Sequence, residues 1–475
     1  GSSNLHGSAY EYLRNDKFDA NDFFANRQGT GKVPFKQNQY GVAIGGPVVI
    51  PKLYHGREKT FWFFNWEGYR ARRGQNNLSS FPSQTLRNGD FSGFGKTIYD
   101  PLTGRSGPNG SVIRDPFQNN IIPPNRISPA ITFLLNTLIP LPNRPGLTNN
   151  FVNTQGYAQD RDAFNIRGDH NFNPSNTVSV RWSRQRVGSI NPGGNPFIYS
   201  TNRYDVDNMM ASWDHIFSPT SVLEIKFGRN VPTIPNPSVN TKIQRQEFLT
   251  KAGITMFIPT VIFNPIPNFS ADGEFSVGSG GGTQGDRIYQ YIANYSKVIG
   301  RHSVKLGMNY SRRHFNTNTT NPMDGNANFD PSLTNLQSNP NSGDSFASML
   351  LGLPSSIRRG TGNTLTDANI PVQQYYVQDD FRVNNRLTVN IGLRYEYIPA
   401  PVEDTNRLGN LVVTRDSSGH YSGTLLWAGI NPEVDPATGV ANEPPKTGGY
   451  GKALMRNNYL DFAPRVGIAY QLNSK

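Results

Sequence analysis

The chain is expected to be all-β: part of a transmembrane, antiparallel, up-and-down β-barrel with long extracellular loops. Three observations point there. Strand-length runs alternate apolar and polar residues. The runs come in pairs joined by short polar turns. The connections between pairs are long. The clearest pair lies in PVQQYYVQDDFRVNNRLTVNIGLRYEY, Pro371 to Tyr397. Leu387, Val389, Ile391, Leu393, Tyr395 and Tyr397 alternate with Thr388, Asn390, Gly392, Arg394 and Glu396. Successive strand side chains point to opposite faces, so one face is greasy and the other wet. The preceding arm sets Tyr375, Val377 and Phe381 against Gln374, Gln378 and Asp380. Arms of about ten residues match the length of a tilted membrane-crossing strand. A soluble β-sandwich shares this period, so the repetition and the loops must separate the two.

Composition agrees with many strands and irregular connections. Of 475 residues 35% are hydrophobic and 11% aromatic, with 47 glycines and 35 prolines. No apolar run approaches the roughly 18 residues of a transmembrane helix. Barrel strands are not excluded, because only alternate residues face lipid. The net charge is +12, but the basic residues are scattered and the densest groups are short, such as Arg70, Arg72 and Arg73. No recognition helix or finger pattern accompanies them, so nucleic acid is not an expected partner. The chain has no cysteine, which excludes disulfides and thiolate metal sites.

Taken in order, the first strand is His6 to Arg14, with Tyr10 and Tyr12 on one face. The second is Gln39 to Gly46, with Tyr40, Val42 and Ile44 together. The third, Thr60 to Arg70, is aromatic on both faces. It reads either as a buried core strand or as an aromatic girdle. A segment rich in turn residues follows, 71–160, in which Ser128-Pro129 opens a short helix closed by Pro140. Hairpins then recur around turns at 173–176, 218–221 and 300–302, and Phe462 to Leu472 begins another strand. This makes roughly twelve strands. The connections between hairpins read as long at 186–208, 230–287, 312–370 and 399–460. A meander puts short turns on one rim and long loops on the other, the asymmetry of an outer-membrane barrel.

The motifs that carry chemistry are incomplete in this chain. Gly451-Lys452 and Gly31-Lys32 fail the phosphate-loop spacing. The Gly278 to Gly282 run lacks a strand–helix context. Gly343-Asp344-Ser345-Phe346-Ala347 nearly matches a nucleophile elbow but ends in Ala. The seven histidines stand singly without metal-ligand spacing. Asp379 and Asp380 are adjacent on a strand and point to opposite faces. No enzyme, cofactor or metal site is therefore expected. Arg394, Glu396, Lys305 and Asp380 are the candidate lumen-facing residues, either lining a solute route or bonding within the wall.

The order of blocks adds a resemblance. SSNLHGSAYEYLRNDKFDANDFFANR, YGVAIGGPVVIPK, KTFWFFNWEGYR, YDPLTG, IIPPNRISP, PLPN, FASMLLGLPSS, YYVQDDFRVNNRLTVNIGLRYEY and FAPRVGIAY resemble TonB-dependent outer-membrane receptors, most closely their Oar-like subgroup. The resemblance implies a barrel of roughly 22 strands filled by a plug, of which this chain would supply about half. Residues 1–5 would be the plug-to-barrel junction, and the whole of 1–475 a partial barrel domain with outer loops 71–160, 230–287, 312–370 and 399–460. It also implies contact with outer-membrane lipid and lipopolysaccharide, and with the TonB complex through a segment outside this chain. The ligand would be an unknown large or scarce solute. Both ends read as cuts through a longer protein, which would leave two open sheet edges, and open edges are not tolerated in lipid. Two other functions fit the same strands: a surface binding or adhesion protein without transport, and a secreted carbohydrate-binding β-protein.

Overall fold

The computed structural model describes residues 4–27, 31–235, 238–240, 242–254, 266–278, 282–319, 325–358, 366–429 and 444–472. Twelve long strands form one sheet: β1 (His6–Asn15), β2 (Phe35–Pro47), β3 (Thr60–Arg73), β4 (Tyr157–Asn173), β5 (Asn176–Asn191) and β6 (Ile198–Ser218), then β7 (Ser221–Pro235), β8 (Gly282–Ile299), β9 (His302–Thr319), β10 (Thr366–Arg382), β11 (Leu387–Tyr397) and β12 (Asp461–Tyr470). Each pairs antiparallel with the next in chain order, without crossovers, and β1 and β12 stand at the two ends. Short strands Ser238–Asn240 and Val402–Glu403 add to β6 and β10.

Register decides the faces. One row across the sheet reads Phe462, Tyr395, Tyr375, Met308, Ala293, Ile225, Trp213 and Val178. The row one residue along, on the other face, reads Asp461, Glu396, Gln374, Asn309, Ile292, Lys226, Ser212 and Ser179. Among the described residues, the apolar face packs against no second sheet. Ile391 is 56% exposed and Val466 71% exposed. Among the described residues, the twelve long strands contribute only Ala71 and Ala368 to the buried apolar set. The third strand divides as alternation requires. Trp62, Phe64 and Trp66 join the apolar face, where Trp66 lies 5.4 Å from the Tyr40 ring and 6.4 Å from Phe164. Phe61 and Phe63 fall on the polar face, opposite Asp169 and Arg167.

The strands run further than the sequence reading allowed. The expected long connection 186–208 is mostly strand, because β5 continues to Asn191 and β6 starts at Ile198. The same holds at the ends of 71–160, 230–287 and 312–370, where β3, β7, β8, β9 and β10 extend inward. Charges hid these extensions. Near this rim the apolar face carries Arg184, Arg186, Asp205, Asp207, Arg70, Asp162 and others, which break the alternation. Ladder hydrogen bonds need only backbone, so pairing continues past the greasy zone. The rims remain unequal. Connections 74–156, 236–281, 320–365 and 398–460 lie on one rim, together with 16–34 and the short 192–197. The opposite rim has only 48–59, 174–175, 219–220, 300–301 and 383–386.

The dry core of the molecule lies in these long connections. Segments within 74–156, 242–278 and 325–358 pack into one cap. Its fully buried residues include Phe91, Ile122, Leu134, Leu135, Phe248 and Phe346. Its longer helices are α1 (Pro129–Leu138), α2 (Arg245–Ala252) and α3 (Ser345–Leu350). The helix expected after Ser128 is α1, and it buries Ile131, Leu134, Leu135 and Leu138, an i, i+3, i+4, i+7 stripe. Phe133 of α1 meets Phe248 of α2 at 5.9 Å. Asn268–Ala271 pairs in parallel with Asn326–Phe329, which ties the second long connection to the third. The fourth forms its own hairpin, Gly409–Arg415 with Tyr421–Trp427.

The facing is testable at neighbouring positions. Ile391 pairs with Val466 on the apolar face, and Asn390 with Asp380 on the polar face. Ile391→Arg is expected to harm folding into lipid vesicles far more than Asn390→Arg, by roughly 2–4 kcal/mol at the depth of the bilayer midplane and less nearer an interface. Denaturant titration of the inserted protein measures both, and equal costs would contradict the assignment.

Candidate functional site: the polar face and the outer cap

The polar face is a hydrogen-bonded wall. Gln290 Nε2 donates to Asn309 Oδ1 (3.1 Å), Asn309 Nδ2 to Gln374 Oε1 (2.8 Å), and Gln374 Nε2 to Glu396 Oε1 (2.9 Å). Arg394 Nε closes the run 3.2 Å from Glu396. Further round, Tyr376 donates to Asn294 (3.1 Å), and Asn294 donates to Glu224 (2.9 Å). Near the first strand, Glu67 accepts from Tyr10 (2.8 Å) and Gln39 (3.1 Å) and pairs with Arg161. Amide side chains suit this role because each can donate and accept at once.

The four residues singled out by sequence all stand on this face, but as two separate pairs. Arg394 pairs with Glu396. Lys305 Nζ sits 3.3 Å from Asp380 Oδ2, which also accepts from Gln378 at 3.0 Å. Each cation thus has an acid beside it, and both pairs bond within the wall. Asp379 points to the opposite face, where it pairs with His302 at 2.6 Å.

The cap is held by buried polar groups. Arg87, 8% exposed, donates to the carbonyls of Pro82, Leu135, Ile139 and Pro140 at 2.7–3.1 Å. It thereby satisfies the C-terminal end of α1. Burial pulls its guanidinium down to about 10. Asp100 forms a two-pronged ion pair with Arg126, both bonds 2.9 Å, and accepts from Leu102 N at 3.0 Å. The Arg126 guanidinium holds its carboxyl below the ordinary range. Asp344 caps α3 through Phe346 N (2.9 Å) and Ala347 N (3.0 Å), while burial raises its carboxyl. The serine of the near-elbow motif, Ser345, is 3% exposed and donates to Asp272 O at 2.9 Å. That hydroxyl is buried and already engaged in a structural bond. The Gly278 to Gly282 run lies partly outside the described residues, and Gly282 begins β8.

One cluster was missed by the sequence reading. His314 Nε2 lies 2.9 Å from Asp367 Oδ1 and 3.3 Å from Asp404 Oδ2. These residues come from β9, β10 and the fourth long connection, and no local spacing relates them. The histidines are therefore not all isolated, since this one is held between two carboxylates.

A one-sheet meander with an unpacked apolar face, a bonded polar face and its loops on one rim defines a bacterial outer-membrane β-barrel. The entire chain, residues 1–475, matches the family model described as the outer membrane beta barrel domain, and the chain belongs to that family. Comparison with curated proteins returns no match. Among solved structures, the chain is similar to the outer membrane transporter YddB from Escherichia coli (8% identity, TM-score 0.40), covering 89% of this chain and 40% of that one. It is similar to FpvA of P. aeruginosa, solved with a bound pyoverdine (11%, 0.39, covering 92% and 39%). It is also similar to the siderophore receptor PirA from Acinetobacter baumannii (10%, 0.35, covering 89% and 40%). The chain spans about 40% of the length of these proteins.

Two outcomes are expected of the cap. Arg87→Met leaves buried carbonyls unpaired and is expected to cost about 2–5 kcal/mol; limited proteolysis should cut the cap while the sheet stays intact. The Asp100 carboxyl is depressed in the folded state, so its stabilisation is present above the ordinary carboxylate pKa of about 4. It is lost as pH falls through the depressed value. Cap proteolysis measured downward from pH 5 should show this loss, and Asp100→Asn should remove that acid-dependent component.

Proposed function

We propose that this chain is part of an outer-membrane receptor that captures a large or scarce solute and passes it inward, in a process powered from the inner membrane through TonB. The observation that carries the capture step is the cap. Three long connections on one rim share a dry core, so the surface above them is preformed rather than assembled on binding. A preformed surface avoids the ordering cost that loose loops would incur. Below it, the polar face offers amides and paired charges along which a hydrated solute can move. Arg394, Glu396, Lys305 and Asp380 would line that route in addition to bonding within the wall. The domain assignment, a partial barrel over 1–475 whose first residues, 1–5, form the plug-to-barrel junction, and the TonB coupling rest on the resemblance of sequence blocks to TonB-dependent receptors of the Oar-like subgroup.

The reading is tested in cells. A strain lacking the gene is screened for lost uptake over a panel of solutes too large for general pores. For the solute found, collapsing the proton gradient should abolish uptake and leave surface binding intact. Binding with no gradient-dependent uptake would assign the chain to surface attachment instead. Leu135→Ala in the cap core, expected to cost about 2–5 kcal/mol, should weaken solute binding while the barrel keeps its heat-modifiable gel mobility.

A further inference from the structure

The histidine cluster at the long-loop rim offers more than an ion pair. His314 stands on β9 beyond Tyr310 and Arg312, toward the long connections and clear of the greasy belt. The register sets His314 beside Asn369 and Asn316 beside Asp367. His314 and Asp367 are thus diagonal neighbours on one face of the β9–β10 pair, within reach of each other. The third member comes from the fourth long connection. The short strand Val402–Glu403 adds to β10 at Asn369 and Ala368, and Asp404 N then donates to Asp367 O at 2.8 Å. Glu403, 2% exposed, holds the turn that follows. It accepts from Thr405 N at 3.0 Å and from Arg407 N at 2.7 Å, and Asn406 takes a left-handed φ of 58°. A prefolded turn therefore presents Asp404 to the other two.

His314 Nε2 lies 2.9 Å from Asp367 Oδ1 and 3.3 Å from Asp404 Oδ2, and the three residues each bring a ligand atom within 4.8 Å of the other two. A proton on Nε2 can serve only one acceptor. The Asp404 contact has hydrogen-bond geometry. Asp367 Oδ1 is shielded from solvent and accepts no hydrogen bond among the described residues. A shielded carboxylate oxygen without a donor is costly. Hydrogen bonding alone therefore leaves the cluster incomplete. By contrast, His302 near the opposite rim pairs with a single acid, Asp379, at 2.6 Å. Asp404 is about half-exposed, while His314 and Asp367 are mostly covered, so the cluster opens to water on the Asp404 side.

We propose that His314, Asp367 and Asp404 form a zinc site that clamps the root of the fourth long connection to β9 and β10. Nε2 gives its lone pair in place of a proton, each aspartate gives one oxygen, and water takes the open position on the Asp404 side. A tetrahedral zinc ion with bonds of about 2.0–2.1 Å sets its ligand atoms roughly 3.3 Å apart, close to the spacing of these side chains. Calcium fits poorly, because it takes about six to eight oxygen ligands. Arg287 of β8 stands beside His314, so a cation needs both carboxylates to offset that charge. The hairpin of the fourth connection packs a small core of its own around Leu426, Ala428 and Leu454, apart from the cap. The ion fixes this separate unit to the sheet. The site does not depend on whether the barrel transports.

The whole protein, purified in non-ionic detergent, checked for folding by heat-modifiable mobility and stripped with a chelator, is titrated with zinc by calorimetry. One ion per chain is expected. His314→Ala, Asp367→Asn and Asp404→Asn should each weaken binding about tenfold or more, and His302→Ala should leave it unchanged. Calcium in excess should not displace the zinc. Zinc should also protect residues 404–427 from limited proteolysis in the parent protein and not in His314→Ala. A missing one-to-one isotherm, affinity unchanged by the three substitutions, equal loss in His302→Ala, displacement by calcium, or binding without protection would each overturn the site.

Discussion

Hydrocarbon offers no hydrogen-bond partner to a peptide group, so every backbone N–H and C=O in the membrane must be satisfied by another strand. This requirement organises the chain. It explains why successive strands pair only with sequence neighbours, through two-residue gaps such as 174–175 and 219–220. It also explains why pairing is nearly continuous from β1 to β12. Once the ladder is complete, side chains are free to differ on the two faces, and they do. One face needs only to be greasy, because lipid supplies its packing. The other needs only to be hydrated or bonded to itself.

The usual relation between core and fold is thereby inverted. In a soluble domain the strands would bury their apolar side chains against each other. Here the strands bury almost nothing apolar, and the buried residues gather in connections that look irregular in sequence. The cap coheres because apolar residues from three distant stretches exclude water together. Arg87, Asp100 and Asp344 satisfy the polar groups that this burial would otherwise strand. Long connections of this kind would be costly if they flopped. Packed into a common core, they become a fixed platform at the rim where the strands leave the membrane.

Electrostatics follows the same division. On the polar face Lys305 and Arg394 are balanced by Asp380 and Glu396 within the wall. On the other face, towards the long-loop rim, Arg70 is matched to Asp162 and Arg229 to Asp207. On that face Asp379, which stands opposite Ile391, is paired with His302 near the short-turn rim.

The amino-acid order alone determined the strand identities in the greasy zone, the meander, the facing of Ile391 against Asn390, the helix after Ser128 and the inequality of the rims. All of these depend on neighbours within a few residues, through a period of two or of 3.6 or through turn chemistry. Tertiary structure decided the rest. The strands outrun their apolar pattern at 186–208 because a ladder bond ignores side-chain polarity. Phe91, Leu135, Phe248 and Phe346 form one core although more than two hundred and fifty positions separate the first from the last. The gathering of His314 with Asp367 and Asp404 exists only once register is set. Contacts between residues far apart in the chain carry no periodic signature, so only the folded molecule could reveal them.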